Sequence, residues 1–412
     1  MAVSVDVKSF TWNSADSVGT TYTVSFGFTV KHVTVWTSGR SGSVDAVGGQ
    51  NVRAGIGFAA STTQRVCCGV FSADGAGNGD AQRGSRNDSI VAVYNASGVV
   101  GLLDINASFT TDVVFVIDDQ IDVSIQVFVR AIGGSDITNV FVGEGAMSNT
   151  TGNETVSAVG FQGDFIEICR TGTGSINSST FHGHLEYGCA TATAQAVVSV
   201  RSEDGPANSD TDRYMLDIEC SAFLAADNGV PVTRGSFVGF TSNGFTINWL
   251  ETLGAYDFLY SVIKGGRWRI SPTNMRNDST QFSITGWPAT PRGIWGFSHG
   301  AVESTQDASQ TNSRLSFGCA TGSTNRLSSG FYDDNAQGTT RTGTIVEYDE
   351  FLASASADVT DWLCDVVSFN SDGVTFVMDD FDPTLSFAVV VGFFDSAPAG
   401  APSTLPLLGV GT

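Results

Sequence analysis

Three short segments built around a glycine recur along the chain in one order: GIGFA at Gly55–Ala59, EYGCA at Glu186–Ala190 and SFGCA at Ser316–Ala320. Their central glycines, Gly57, Gly188 and Gly318, lie 131 and 130 residues apart. A longer matching stretch begins 35, 34 and 37 residues before these glycines: YTVSFGFTVKHVTVW (Tyr22–Trp36), ETVSAVGFQGDFIEIC (Glu154–Cys169) and QFSITGWPATPRGIW (Gln281–Trp295). Each then carries a turn-rich loop, SADGAGNGDAQR, SEDGPANSDTDR or YDDNAQGTTR, which reads as opening near Asp74, Asp204 and Asp334 and closing on Arg83, Arg213 and Arg341. A hairpin follows: SFTTDVVFV, GFTSNGFTINW and SFNSDGVTFVM. Asn243-Gly244 and Asp372-Gly373 stand there between alternating apolar runs, the signal of a primed two-residue turn, whereas the first copy holds Asp112-Val113 and must turn differently. Anchors repeated in one order at one spacing mean tandem units.

No segment shows a helical period. Apolar residues alternate or run in blocks of four to eight bounded by Gly, Asn and Asp, which is strand behaviour. The expectation is an all-β chain of three tandem β-sandwich, jelly-roll-like domains of about 130 residues, with about eight to ten strands each. The boundaries read as 1–138, 139–266 and 267–396. The Ala/Pro/Gly-rich stretch 397–412 is read as an extended tail that cannot fold alone.

The polarity of the chain comes from Ser, Thr, Asn and 48 Gly, with only 15% charged residues. Acids outnumber bases 42 to 20, a net charge of −22. Such a surface repels nucleic-acid phosphates and anionic lipid, so neither is an expected partner. No stretch reaches the 18 apolar residues of a membrane helix, and MAVSVDVKSFTW lacks the apolar core of a secretion signal. Seven cysteines, Cys67, Cys68, Cys169, Cys189, Cys220, Cys319 and Cys364, form no CxxC pair. An odd count argues against a complete intrachain disulfide set; most read as small buried hydrophobes, with interchain disulfides as the sharper alternative.

Candidate chemistry is sparse. Gly296-Phe297-Ser298-His299-Gly300 fits G-x-S-x-G, but a nucleophile elbow needs a following helix and a later histidine, and AVESTQDASQTNSR supplies neither. Ser298 aligns with Gly39 and Gly172 in a loop after a strand, which reads as structural. His182 and His184 alternate on a strand and could share a metal, yet surface polar histidines are the plainer reading. Asp118, Asp119, Asp122 and Asp379, Asp380, Asp382 follow the first and third hairpins, and closely spaced hard oxygens could hold Ca²⁺. Solvated turn acids are the plainer reading there, and the loop pair Asp204 with Arg213 reads as an ion pair tying the loop. With 42 acids, a carboxylate pair for glycoside cleavage is available on paper. Trp12, Trp249, Tyr256, Trp268 and Trp362 could stack on sugars, although core or interface roles are commoner. No catalytic constellation and no resident cofactor is expected.

The junction GGSDITNVFVGEGAMSNTTGNETVSAVGFQGDFIEI, Gly133 to Ile168, resembles a repeat of structural proteins of tailed bacteriophages and prophages, in which GGSDITN followed by TGN-x-x-V-x-x-VGF joins successive β units. VKSFTWNSADSVGTTYTVSFGF and RWRISPTNMRNDSTQFSITGW look like shortened forms of it, so the resemblance touches all three copies. It implies a virion component of tail, neck or head surface, made in host cytoplasm without a signal. Such a part would work by assembly with other virion proteins, as a symmetric homo-oligomer. The rival readings are a receptor-binding tail protein that recognises host surface glycan and, more remotely, a capsule depolymerase.

Overall fold

In a computed structural model the chain is described over residues 2–40, 45–225, 228–382 and 385–396. These residues form 33 strands and no helix, and every named strand pairing is antiparallel. The strands fall into three equivalent sets of eleven. In the first they are β1 (Ser4–Trp12), β2 (Thr21–Ser25), β3 (Val30–Thr37), β4 (Ala46–Gly49), β5 (Val52–Ala59), β6 (Arg65–Ser72), β7 (Ala81–Arg86), β8 (Val91–Asn95), β9 (Gly98–Ile105), β10 (Asp112–Asp119) and β11 (Ile125–Gly133).

β2, β10, β9 and β8 make a four-stranded sheet, and β1, β11, β3, β5, β6 and β7 make a larger one. The two pack face to face. Val33, Val35, Val127 and Val129 of the large sheet meet Val24, Leu103, Val113 and Phe115 of the small one in a single apolar cluster. The small sheet has an outer face in water, so β10 alternates: Val113, Phe115 and Ile117 are buried while their neighbours are partly or fully exposed. The large sheet does not alternate. All eight residues of β5 and all nine of β11 are buried, because its second face packs on the other two units.

The large sheets are also completed by exchange. β7 pairs with Ser178–Phe181 of the second unit, the counterpart of β4. The second unit's Thr211–Leu216 pairs in turn with Gln310–Thr311 of the third. The third unit's Thr342–Glu347 then pairs with β4 of the first. Three six-stranded sheets thus become three seven-stranded ones, and the donations close a ring with pseudo-threefold symmetry. Each exchanged strand covers an edge whose unpaired N–H and C=O groups would otherwise invite foreign strands.

Each unit holds eleven strands instead of eight to ten. The second unit begins with Ile137–Ala146, so a boundary after residue 138 would cut its first strand, while the next break lies between Gly265 and Arg267. The tail 397–412 lies outside the described residues. The hairpins stand where expected, but their turns are not primed. Thr241 pairs with Gly244 and Asn370 with Gly373, so Ser242-Asn243 and Ser371-Asp372 are the central residues, and none of these has positive φ. The glycine that follows serves another purpose. A Cβ on Gly244 or Gly373 would come within 1.9 or 1.8 Å of the Val156 or Ile284 carbonyl oxygen on the adjoining strand. The anchor glycines obey the same steric rule: a Cβ on Gly57, Gly188 or Gly318 would lie 2.0, 1.9 or 1.6 Å from the carbonyl oxygen of Ile90, Cys220 or Phe351. The repeated glycine therefore marks where the chain leading into the small sheet presses on the large one.

Candidate functional site

The pseudo-threefold axis brings a fully buried ion pair together with aromatic side chains from different units. Thr34, Glu167 and Trp295 occupy one equivalent position in the three units, each on the strand paired with the unit's last strand. Arg130 of the first unit donates through Nη2 to both Glu167 oxygens of the second at 2.6 Å and also to Thr34 Oγ1. Its guanidinium carbon lies 4.6 Å from the ring centroid of Trp295 of the third unit. One ion pair thus ties all three units, with Arg130 and Glu167 both at 0% exposure. Tyr187 Oη donates to Glu167 Oε1 at 2.7 Å. Burial pushes Glu167 up, but Arg130 and these hydrogen bonds outweigh it and hold the carboxyl below its usual range. His32 is driven down to about 3 by burial, so it stays neutral beside Ser261 Oγ at 2.8 Å. Trp36, Phe297 and Phe317 close the cluster in edge-on and stacked contacts.

The axis continues into a layer where Ser72, Ser202 and Asp333 end the three equivalent strands. Asp333, 2% exposed, accepts from Ser72 Oγ at 2.5 Å and from Ser202 Oγ. Burial pushes its carboxyl up to about 7 against those two donors. Beyond it the three turn-rich loops lace together. Gly79 N donates to Pro206 O and Gly205 N to Gly79 O, Ser209 and Gln337 are joined by Ser209 N to Gln337 O, and Gly75 N donates to Thr340 O. One side chain from each loop holds the start of the next unit's strand. Asp204 Oδ1 accepts from Ala81 N, Asn335 Oδ1 from Thr211 N and Asp74 Oδ1 from Thr342 N, each at 3.0 Å.

That register corrects the expected loop ion pairs. Asn335, not Asp334, matches Asp74 and Asp204. Arg213 reaches the His299 carbonyl at 3.0 Å and Arg83 the His182 carbonyl at 3.2 Å, so neither pairs with its loop acid. Only Arg341 lies near its own, Asp334, at 3.7 Å. The acids are engaged by backbone N–H groups of the neighbouring unit, a geometry the one-dimensional pattern could not contain.

The other singled-out residues scatter. Ser298 aligns with Thr37 and Arg170; it is Gly300 that aligns with Gly39 and Gly172, all three at positive φ. Ser298 is a buried strand end whose hydroxyl donates to the Phe387 carbonyl at 2.7 Å and accepts from Gly300 N at 3.0 Å, as Thr37 does with Gln126 O and Gly39 N. His184 is buried against Ser199 Oγ, and His182 accepts from Asp204 N, so they share no site and neither is an exposed surface histidine. Trp12, Trp249, Trp268 and Trp362 lie in the core at 0, 1, 6 and 1% exposure, and Tyr256 is half-buried on Phe223. Open surface grooves of about 430, 340 and 270 Å³ are present, and none of the three brings two carboxylates together.

Of the calcium candidates, Asp122 is paired with Arg53, Asp119 is exposed, Asp380 caps Phe381 N at 2.9 Å and Asp382 lines the groove of about 430 Å³. Asp118 is raised by burial and by Asp104. Asp379 alone joins a compact group, with Glu350 and Asp365, which sequence reading missed. A second group, Asp45 with Glu347 and Asp349, spans the first and third units. Burial and Asp45 push Glu347 up to about 8.

All seven cysteines are free and buried, so an interchain bridge would require the surrounding strands to open. Burial raises the thiol of six of them, including Cys169 and Cys364. The native chain should therefore resist an aromatic disulfide reagent, and all seven thiols should react after denaturation. Prompt labelling of even one thiol in the folded protein would contradict this.

No family model matches the sequence, and no curated protein matches it. Among solved structures, the chain is similar to one in the X-ray structure of the entire lipid-containing bacteriophage PM2, at 10% identity over 94% of this chain and 99% of that one. The TM-score is 0.12, a level that carries no argument about fold or role.

Proposed function

We propose that this chain is a structural protein of a bacteriophage particle, in tail, neck or head surface, and that it acts by protein–protein assembly with other virion proteins and further copies of itself. The observation that carries the reading is the closed ring of three units stitched by exchanged strands. Its centre is filled by a buried ion pair and aromatic side chains, as expected of a rigid building block and not of a ligand-binding lumen. The motif that resembles phage structural repeats runs from the end of the first unit into the third strand of the second, with shortened forms at the start of the other copies, which fits a module propagated by duplication. The glycan reading loses its main support, because the tryptophans that might have stacked on sugars are core residues.

The net charge of −22 gives the assembly reading a specific signature. Copies repel one another at low ionic strength, and the Debye length falls from about 30 Å at 0.01 M salt to about 3 Å at 1 M. Light scattering of the purified chain should give a discrete multiple of 43.1 kDa whose fraction rises with salt and is indifferent to reductant. A monomer at every salt concentration, combined with saturable binding to host surface glycan, would overturn assembly in favour of receptor binding.

A further inference from the structure

We propose that Glu350, Asp365 and Asp379 of the third unit form a binding site for one divalent cation of the calcium class, which ties the small sheet of that unit to the loop entering it. The three residues come from separate elements. Glu350 precedes the strand Leu352–Ser356, Asp365 lies on Val359–Asn370 and Asp379 on Gly373–Asp380. One oxygen from each lies within 4.8 Å of the others. Ca²⁺ binds oxygens at about 2.3–2.6 Å, so ligand oxygens of one ion fall within about 5 Å of each other.

The second observation is Glu350 itself. It is only 4% exposed, and its Oε2 has no hydrogen-bond partner among the described residues. Its carboxyl instead faces the carboxyl of Asp365, within hydrogen-bond reach. Two carboxyls in that position must share a proton or a cation.

The other two units show what this position needs when no ion is called for. Its counterpart in the first unit is Ser89, whose hydroxyl donates to Asp88 at 3.2 Å. Beside it Arg65 pairs with Asp104, as Arg326 pairs with Asp365 at 2.6 Å in the third unit. In the second unit the counterpart is Glu219, which has dedicated partners in Arg234 at 3.3 Å and Tyr214 Oη at 2.9 Å. The third unit alone places an acid here without adding a base. Three carboxylates against the single guanidinium of Arg326, with Asp349 adding its charge nearby, leave an excess of negative charge that a divalent cation offsets. Asp379 is exposed, leaving room for water to complete the shell. Ligands on fixed strands with part-solvent coordination suit the flexible, oxygen-only sphere of Ca²⁺ better than the strict octahedron of Mg²⁺.

The test is calorimetric titration of chelator-treated full-length protein with CaCl₂, with stoichiometry read by native mass spectrometry and folding checked by circular dichroism. One Ca²⁺ per chain is expected. Glu350→Gln and Asp379→Asn should each weaken it at least about tenfold, because affinity follows ligand charge, while Asp122→Asn should leave it unchanged. The exposed Asp379 keeps the test decisive if the buried Glu350 variant does not fold. Absence of binding at millimolar CaCl₂, equal binding by all variants, or loss in Asp45→Asn in place of Asp379→Asn would each overturn the proposal. So would a parent chain whose denaturant midpoint calcium leaves unchanged while Glu350→Gln exceeds it by the same margin with and without the ion, since that marks a shared proton and no cation.

Discussion

Glu167→Gln should destabilise the folded chain by ~3–5 kcal/mol, the range for removing one partner of a buried ion pair. The substitution keeps the size of the side chain and leaves Tyr187 an acceptor, but it strands the Arg130 cation at 0% exposure against Trp295 and Phe393. The effect should be read from the denaturant midpoint followed by fluorescence, since Trp295 stacks on the guanidinium and Trp36 lies 4.9 Å from that ring. Arg130→Met combined with Glu167→Gln should recover most of the loss, because no unpaired charge then remains. A single variant within about 0.5 kcal/mol of the parent would mean that apolar contacts hold the three units together without the pair. The pH response has a definite sign. Glu167 is held below its usual range, so its contribution persists through neutral pH and fades only as pH falls through that lowered value.

The opposite sign is expected at the other polar layer of the axis. Asp333 is pushed up to about 7 from an ordinary 3.8, so folding favours its protonated form. Stability linked to this group is complete below the ordinary value and is lost as pH rises to about 7. At 1.36 kcal/mol per unit, the loss at alkaline pH is on the order of 4 kcal/mol. Asp333→Ser would give the layer three serines, matching Ser72 and Ser202. It should be more stable than the parent at pH 9 and no more stable at pH 4. Glu347 and Glu350, raised to about 8 and 9, titrate in the same direction in both proteins. The difference between variant and parent is therefore the readout, taken from denaturant midpoints across pH. A difference that does not grow with pH would show that Asp333 is ionised throughout, neutralised by something other than a proton.

Much of the architecture was legible in one dimension, for identifiable reasons. A glycine whose added Cβ would come within 2.0 Å of a carbonyl oxygen cannot be replaced, so Gly57, Gly188 and Gly318 stood out at constant spacing. Hairpins announced themselves through alternation on the small sheets, which have one wet face. The large sheets gave a muddier signal, because burial on both faces turns alternation into runs such as Val52–Ala59. Turn chemistry misled: the glycines after Asn243 and Asp372 looked like turn residues and are close-approach residues. The alignment of Ser298 with Gly39 slipped by two because the strand ends carry no residue-specific marker, whereas positive φ at Gly39, Gly172 and Gly300 sets the register at once.

Three repeats, all-β secondary structure and a strongly acidic composition are written in one dimension. These are local or compositional properties, set by side-chain period, backbone sterics and charge count. The tertiary structure decided that the repeats close into a ring, that each lends a strand to its neighbour, and that Arg130, Glu167 and Trp295 meet. It also decided that Glu350, Asp365 and Asp379 share one site. Strands such as Ala46–Gly49 and Gln310–Thr311 are too short to be recognised alone and exist only because a partner edge nearly 300 or 100 residues away accepts them. Contacts between groups so far apart in sequence depend on the summed geometry of many intervening strands, and no local pattern encodes that sum.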